Sequence, residues 1–138
     1  LPRHPGHGPA ATAPWARECM KYWMDRAPKE KLIMALPAFG NDYEDGPGGK
    51  GRQVYAPVPE IPEGTKHEKF WLGYEQLNMY RYLDKDGKSR TFFASDAMST
   101  DAHLKTIDDL DLPGLTFWIY SAIPAETWQA IRTWAAAR

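Results

Sequence analysis

The chain has 138 residues, with 17 Lys and Arg against 18 Asp and Glu, a size that fits one compact domain or a piece of a larger one. A hydrophobic fraction of 43% and a charged fraction of 25% exclude wholesale disorder and collagen-like classes. A formal charge of -1 provides no basic field to neutralise several phosphates, which argues against nucleic acid and anionic membrane surfaces as partners and for an uncharged substrate.

Leu1 to Pro14 is rich in Pro and Gly and reads as a loop cut open, so the chain is expected to be a fragment or a processed product. Thr12 can cap a helix with Pro14 in its first turn, and Trp15, Cys19, Tyr22 and Trp23 recur at helical spacing as its apolar face to about Arg26. Cys19, the only cysteine, is expected to be buried in that helix, and a lone cysteine excludes an internal disulfide framework. Lys31 to Phe39 is a mostly apolar run stopped by Pro37 and Gly40, the pattern of a buried parallel-type strand. From Gly40 to Gly64 the composition shifts to Gly, Pro and charge and predicts a long irregular loop.

Lys66 to about Met79 places Phe70, Trp71, Tyr74 and Leu77 at helical spacing and predicts a helix, despite Gly73. Tyr80 to Leu83 and Arg90 to Ala94 flank an Asp86-Gly87 turn signal and predict a hairpin. Ser99 or Thr100 is the expected cap of the next helix, with Leu104, Ile107 and Leu110 on one stripe and Pro113-Gly114 as its end. Leu115 to Tyr120 is a second expected buried strand. Pro124 then opens a last helix whose apolar face is Trp128, Ile131, Trp134 and Ala135. Two helix–strand units predict α/β architecture with parallel strands and an insertion to one side; a parallel pair buried on both faces needs neighbours, from the parent chain or another chain. No apolar run approaches the roughly 20 residues that span a bilayer, so no membrane contact is expected.

Most familiar chemistries are excluded by spacing. Starting from Asp84, an EF-hand would need Gly and Glu where Ser89 and Ser95 stand. Ser95, Ser99 and Ser121 lie in no nucleophile elbow, and the Gly46 to Gly51 run is not followed by the Lys-Ser/Thr pair of a phosphate loop. His4 and His7 are expected as exposed loop residues and His67 and His103 as solvated helix residues, so no metal and no other cofactor is predicted. Asp42, Glu44 and Asp45 cluster after the first strand and read either as a solvated acidic loop mouth or as carboxylates near a site. Six Trp, seven Tyr and five Phe give 13% aromatic residues, and some of these rings can stack on the apolar face of a pyranose.

Two segments resemble a known pattern. Pro28-Lys29-Glu30-Lys31-Leu32-Ile33-Met34-Ala35-Leu36-Pro37-Ala38-Phe39-Gly40 is similar to the P-x-E-K-L-x-x-G-L-P-x-Y-G stretch at the seventh barrel strand of family 18 glycoside hydrolases, the chitinase-like enzymes. Phe92-Phe93-Ala94-Ser95-Asp96-Ala97-Met98-Ser99, followed by Leu115-Thr116-Phe117-Trp118, resembles that family's Y-D-d-x-x-S segment, helix and final strand ending on Trp. The resemblance covers nearly the whole chain.

It implies the C-terminal portion of a TIM (β/α)8 barrel, an incomplete barrel by itself. The expected parts are residues 1–39 (loop, helix and strand), 40–98 (a small α+β insertion) and 99–138 (helix, last strand, C-terminal helix). Trp118 then corresponds to the Trp that floors the sugar subsite at the cleavage point. Asn41, Asp42 and Tyr43 are implied to hydrogen-bond sugar hydroxyls. Phe39 and Asn41 replace a Tyr and an Arg of the pattern, and Tyr120 stands where a Glu is common. The expected partner is a glycan containing N-acetylglucosamine, and the family resemblance implies a secreted or extracellular location. The family's D-x-x-D-x-D-x-E acid signature does not occur among the 138 residues, so the chain alone is expected to be inactive and to hydrolyse glycans only with the rest of a barrel. A non-catalytic carbohydrate-binding module and a self-associating α/β fragment are the alternatives.

Overall fold

The computed structural model describes residues 7–120 and 123–138, so His4 and Ser121 lie outside the described residues. Helix α1 spans Ala13–Met24, with Thr12 as its cap accepting from the Trp15 amide and Pro14 in the first turn. A single 3-10 turn, Lys29–Lys31, leads to strand β1, Met34–Pro37. Strands β2 (Gly40–Glu44), β3 (Gly51–Val54), β4 (His67–Leu72), β5 (Leu77–Leu83) and β6 (Ser89–Phe93) follow, then helix α2 (Ala97–Asp109), strand β7 (Leu115–Trp118) and helix α3 (Ala125–Ala136).

The strands form two sheets. β1 and β7 run parallel, with Met34 opposite Leu115 and Pro37 opposite Trp118. The other five form an antiparallel sheet in the order β3-β2-β6-β5-β4. Together they make a small α/β domain with a parallel and an antiparallel part. The hairpin expected around Asp86-Gly87 is present as β5 and β6, closed by Asp84, whose side chain accepts from the Asp86 and Lys88 amides.

The segment between β1 and α2 is more ordered than its composition suggests. The segment read as an irregular loop from Gly40 contains β2 and β3, joined by a turn in which Gly46 and Gly48 take positive φ values that other residues rarely adopt. The expected helix from Lys66 to Met79 is instead β4, a turn and β5. Gly73 and the left-handed Gln76 place a tight turn between Leu72 and Leu77, where the Gln76 amide donates to the Leu72 carbonyl at 2.7 Å. β4 is an edge strand, exposed from His67 to Trp71, so packing imposes no two-residue alternation on it and its aromatic spacing imitates a helix.

Two separate cores hold the domain. The first joins Ala16 and Met20 of α1, Met34 and Leu36 of β1, and Leu104 and Ile107 of α2 with Leu112. The face of α1 that packs is therefore Ala13, Ala16 and Met20, whereas Trp15, Tyr22 and Trp23 are exposed and Cys19 is half-buried. Small residues let the helix approach closely, and the large rings of the expected face point outward. The second core packs Tyr80, Tyr82, Phe92 and Ala94 of the antiparallel sheet against Val54 and Ile61.

Helix α2 is capped one turn earlier than its serines suggested: the Asp96 carboxylate accepts from the Ser99 amide. It ends before Pro113-Gly114, in a Schellman turn with Asp111 at φ 52, where the Leu112 amide donates to the Ile107 carbonyl at 3.0 Å. In α3, Thr127 is buried and Ile131 and Trp134 are half-buried, but Trp128 and Ala135 of the expected apolar face are exposed. The Trp134 indole instead anchors the helix by donating to the Asp108 carboxylate at 2.9 Å.

Candidate functional site

The site is built where β1 and β7 end together. Along β1, Met34 and Leu36 point into the first core while Ile33 and Ala35 are exposed; along β7, Leu115 and Phe117 turn toward that core while Thr116 and Trp118 are exposed. The parallel pair, expected to be buried on both faces, is thus covered on one face only. At its C-terminal end the Ala38 amide donates to the Trp118 carbonyl at 2.7 Å, which fixes Trp118 beside Pro37. The Trp118 side chain is 66% exposed and Tyr120 is 74% exposed. Phe39 is buried and meets Tyr55 edge to face, with ring centroids 6.3 Å apart.

β2 leaves this end of the pair directly, and strand alternation separates its three candidate residues. Asn41 and Tyr43 share one face of the antiparallel sheet, and Asp42 points to the other. The Asn41 side-chain amide donates to the Gly8 carbonyl at 3.0 Å, and the Tyr43 hydroxyl donates to the same oxygen at 3.1 Å. His7 stacks on the Tyr43 ring at 4.5 Å and its Nε2 lies 3.2 Å from the Gly49 carbonyl. His7 is therefore half-buried rather than an exposed loop residue, because Tyr43 and the β2–β3 turn bracket it.

Asp42 is fully enclosed. Its carboxylate accepts from Arg90 Nε at 3.1 Å, from Arg90 Nη2 at 2.9 Å, from Arg52 Nε at 2.9 Å and from the Tyr82 hydroxyl at 3.0 Å. Burial, with the adjoining Asp42 charge, pushes the Tyr82 phenol up to about 12, so it stays a donor. Glu44 pairs with Lys88 at 3.1 Å, and Asp45 accepts from Thr91 at 2.7 Å and from Ser89. Asp42 corrects the picture of a solvated acidic mouth by facing the second core, whereas Glu44 and Asp45 stay half-buried, held by Lys88 of the turn before β6 and by Ser89 and Thr91 of β6.

His103, expected to be solvated, is buried between α2 and the segment before α1, with Nδ1 2.7 Å from the Ser99 carbonyl and Nε2 2.9 Å from the Ala11 carbonyl. Burial holds its imidazole below the ordinary range, against the pull of both carbonyls. Its position one turn after Ser99 on the inward stripe beside Leu104 and Ile107 is the signal that places it inside. His67 is exposed as expected, but on a strand. Among the described residues no group of three or more His, Cys, Asp or Glu could hold a metal ion, and no helix is long and apolar enough to cross a membrane. The end of the pair thus leaves an indole and a phenol exposed, while the Asn41 amide and the Tyr43 hydroxyl are both turned to the Gly8 carbonyl.

No protein-family model and no curated protein matches the chain. Solved structures do. A chitinase from Chromobacterium violaceum superposes with a TM-score of 0.78 at 18% identity, covering 96% of this chain and 42% of that one. The spore cortex-lytic enzyme SleL of Bacillus megaterium gives 0.69 at 19% identity over 91% of this chain and 30% of its own. A glycoside hydrolase family 18 N-acetylglucosaminidase from Paenibacillus barengoltzii gives 0.65 at 16% identity over 85% and 38%. The chain thus spans less than half of each of these structures. Nearly all of it is matched by a part of each, and in fold it resembles the C-terminal part of the family 18 glycoside hydrolases and chitinase-like proteins.

Proposed function

We propose that this chain is the C-terminal part of a chitinase-like glycosidase barrel that hydrolyses β-linked glycans containing N-acetylglucosamine. The observation that carries this reading is Trp118, two-thirds exposed at the shared end of β1 and β7, in a fold matched over 96% of its length by part of a chitinase. On this reading residues 1–39 and 99–138 supply two barrel units and residues 40–98 a wall of the cleft. The uncovered face of Ile33, Ala35 and Thr116 packs against further barrel strands, which removes both the apolar exposure and the open strand edges.

The Trp118 ring stacks on a pyranose and orients the glycosidic bond, so that bound sugar arrives already aligned with the acid. Asn41, Tyr43 and Tyr120 line the edge; Phe39 supports Tyr55; Asp42 acts through the sheet by holding β2 in register. The general acid comes from outside these 138 residues, since no D-x-x-D-x-D-x-E pattern occurs in them.

That absence, with Phe39 and Asn41 in place of a Tyr and an Arg, favours one second reading: a chitinase-like module that binds glycans without cleaving them. A fluorogenic chitotrioside assay on the full-length protein, beside calorimetric titration with chitotriose, separates the two. Turnover, with both turnover and binding reduced about tenfold or more in Trp118→Ala, is expected. Binding without turnover establishes the second reading, and binding unaltered by Trp118→Ala sinks both.

A further inference from the structure

Tyr55 comes directly after β3, and the chain is held on both sides of it. Val54 stands opposite Gly40 in the register of β2 and β3 and packs against the second core. The Ala56 amide donates to the Val54 carbonyl at 2.8 Å, closing a three-residue turn with Tyr55 at its centre. Pro57 follows and pushes Ala56 toward extended backbone. The Tyr55 ring itself meets Phe39, which is buried, edge to face.

This held ring is open to solvent. Tyr55 is 57% exposed, and its hydroxyl makes no hydrogen bond among the described residues. Several other aromatic side chains are engaged where they stand. The Tyr43 hydroxyl donates to Gly8, the Arg26 guanidinium lies 3.6 Å from the centre of the Tyr22 ring, and the Trp134 indole donates to Asp108. Contact with Phe39 takes up only part of the Tyr55 ring, and the remainder, with its phenol, suits the apolar C–H face and hydroxyls of a pyranose.

Phe39 also ties Tyr55 to the end of the parallel pair. Pro37 is opposite Trp118, the Ala38 amide donates to the Trp118 carbonyl, and Phe39 is the next residue. The chain from Pro37 to Phe39 spans at most about 7 Å. The Phe39 and Tyr55 ring centroids are 6.3 Å apart. Trp118 and Tyr55 are therefore two exposed rings on fixed backbone at one end of the molecule, with Phe39 linking them.

We propose, on the glycan-binding reading of Trp118 above, that Tyr55 is a second stacking platform for the same glycan, taking a sugar unit further along its chain. The consequence is a dependence on ligand length: Tyr55 contributes only when the oligosaccharide extends past Phe39. Because the turn and Phe39 hold the ring beforehand, little side-chain freedom is lost on contact.

The test is calorimetric titration of the full-length protein with chitobiose and with chitotetraose. Tyr55→Ala is expected to weaken chitotetraose binding about tenfold and to leave chitobiose binding within about twofold. Tyr55→Leu, which keeps an apolar cover on Phe39 without a flat ring, is expected to match the alanine variant, and Tyr55→Phe to retain most of the affinity. Trp118→Ala is expected to weaken both probes. Chitotetraose binding unmoved by Tyr55→Ala and Tyr55→Leu, or an equal loss for both probes, would overturn the proposal and leave the reading of Trp118 intact. If the unsubstituted protein binds neither probe, both fall together.

Discussion

The two sheets invert the usual relation between residue type and burial in opposite directions. In the antiparallel sheet a carboxylate, Asp42, is fully enclosed; in the parallel pair a tryptophan, Trp118, is 66% exposed. Asp42 finds every partner it needs on strands of its own sheet, from Arg90, Arg52 and Tyr82. Trp118 is held through its backbone carbonyl, which accepts from the Ala38 amide, and its ring is largely exposed. A buried charge with complete hydrogen bonding is a device of structure, whereas a large exposed ring on a fixed strand end is available for a ligand or a packing partner.

Breaking the enclosed side should produce the largest effect. Asp42→Ala leaves the Arg90 guanidinium buried without its counterion and should cost about 3–5 kcal/mol in denaturant unfolding. A loss below about 1 kcal/mol would show that water replaces the carboxylate, against its complete enclosure. Gly40→Ala comes next. A Cβ there would sit 1.9 Å from the Phe92 ring, itself completely buried, so overpacking of about 1–3 kcal/mol is expected from the same measurement.

His103 gives a smaller, pH-dependent effect. Its folded pKa is depressed by burial, so the unfolded chain binds the extra proton first, and stability falls as pH drops below the ordinary imidazole value of about 6.5. A Tm lowered by a few degrees in that window, and made flat in His103→Gln, is the expected result. Trp118→Ala should have the smallest effect on stability, within about 0.5 kcal/mol, since little is lost by truncating an exposed ring. A large loss there would place Trp118 in a core and erase the contrast with Asp42.

What could be read from the chain follows the same division. Thr12, Pro14 and the Asp86-Gly87 turn act through local backbone chemistry, so α1 and the β5–β6 hairpin were legible. β1 and β7 were legible as apolar runs, although their exposed face was not, because nothing in a run of Ile, Ala, Leu and Phe states which side is covered. β2 was hidden by its central residue. Asp42 breaks the apolar alternation at the position that is most enclosed, and its partners Arg90 and Arg52 are 48 and 10 residues away. The seam of α1 was misread for a related reason: Ala13 and Ala16 carry weak signals beside Trp15 and Trp23, yet close approach to α2 requires the smaller side chains. At the candidate site, Trp118 and Tyr120 were named from the resemblance alone, while the contacts of Asn41 and Tyr43 with Gly8 depend on chain separated by more than thirty residues.

The neighbouring positions of β2 and β6 carry a consequence for how such a chain can change. Asn41 stands opposite Phe93, so the antiparallel sheet is entered and left through adjacent strands. To the helices and the parallel pair, the intervening residues are a closed detour whose two ends lie about 5 Å apart. Lengthening, shortening or exchanging that detour leaves the geometry of its attachment unaltered. The antiparallel sheet can therefore be remodelled as an exchangeable cassette, with Pro37 and Trp118 kept paired at the end of the parallel strands.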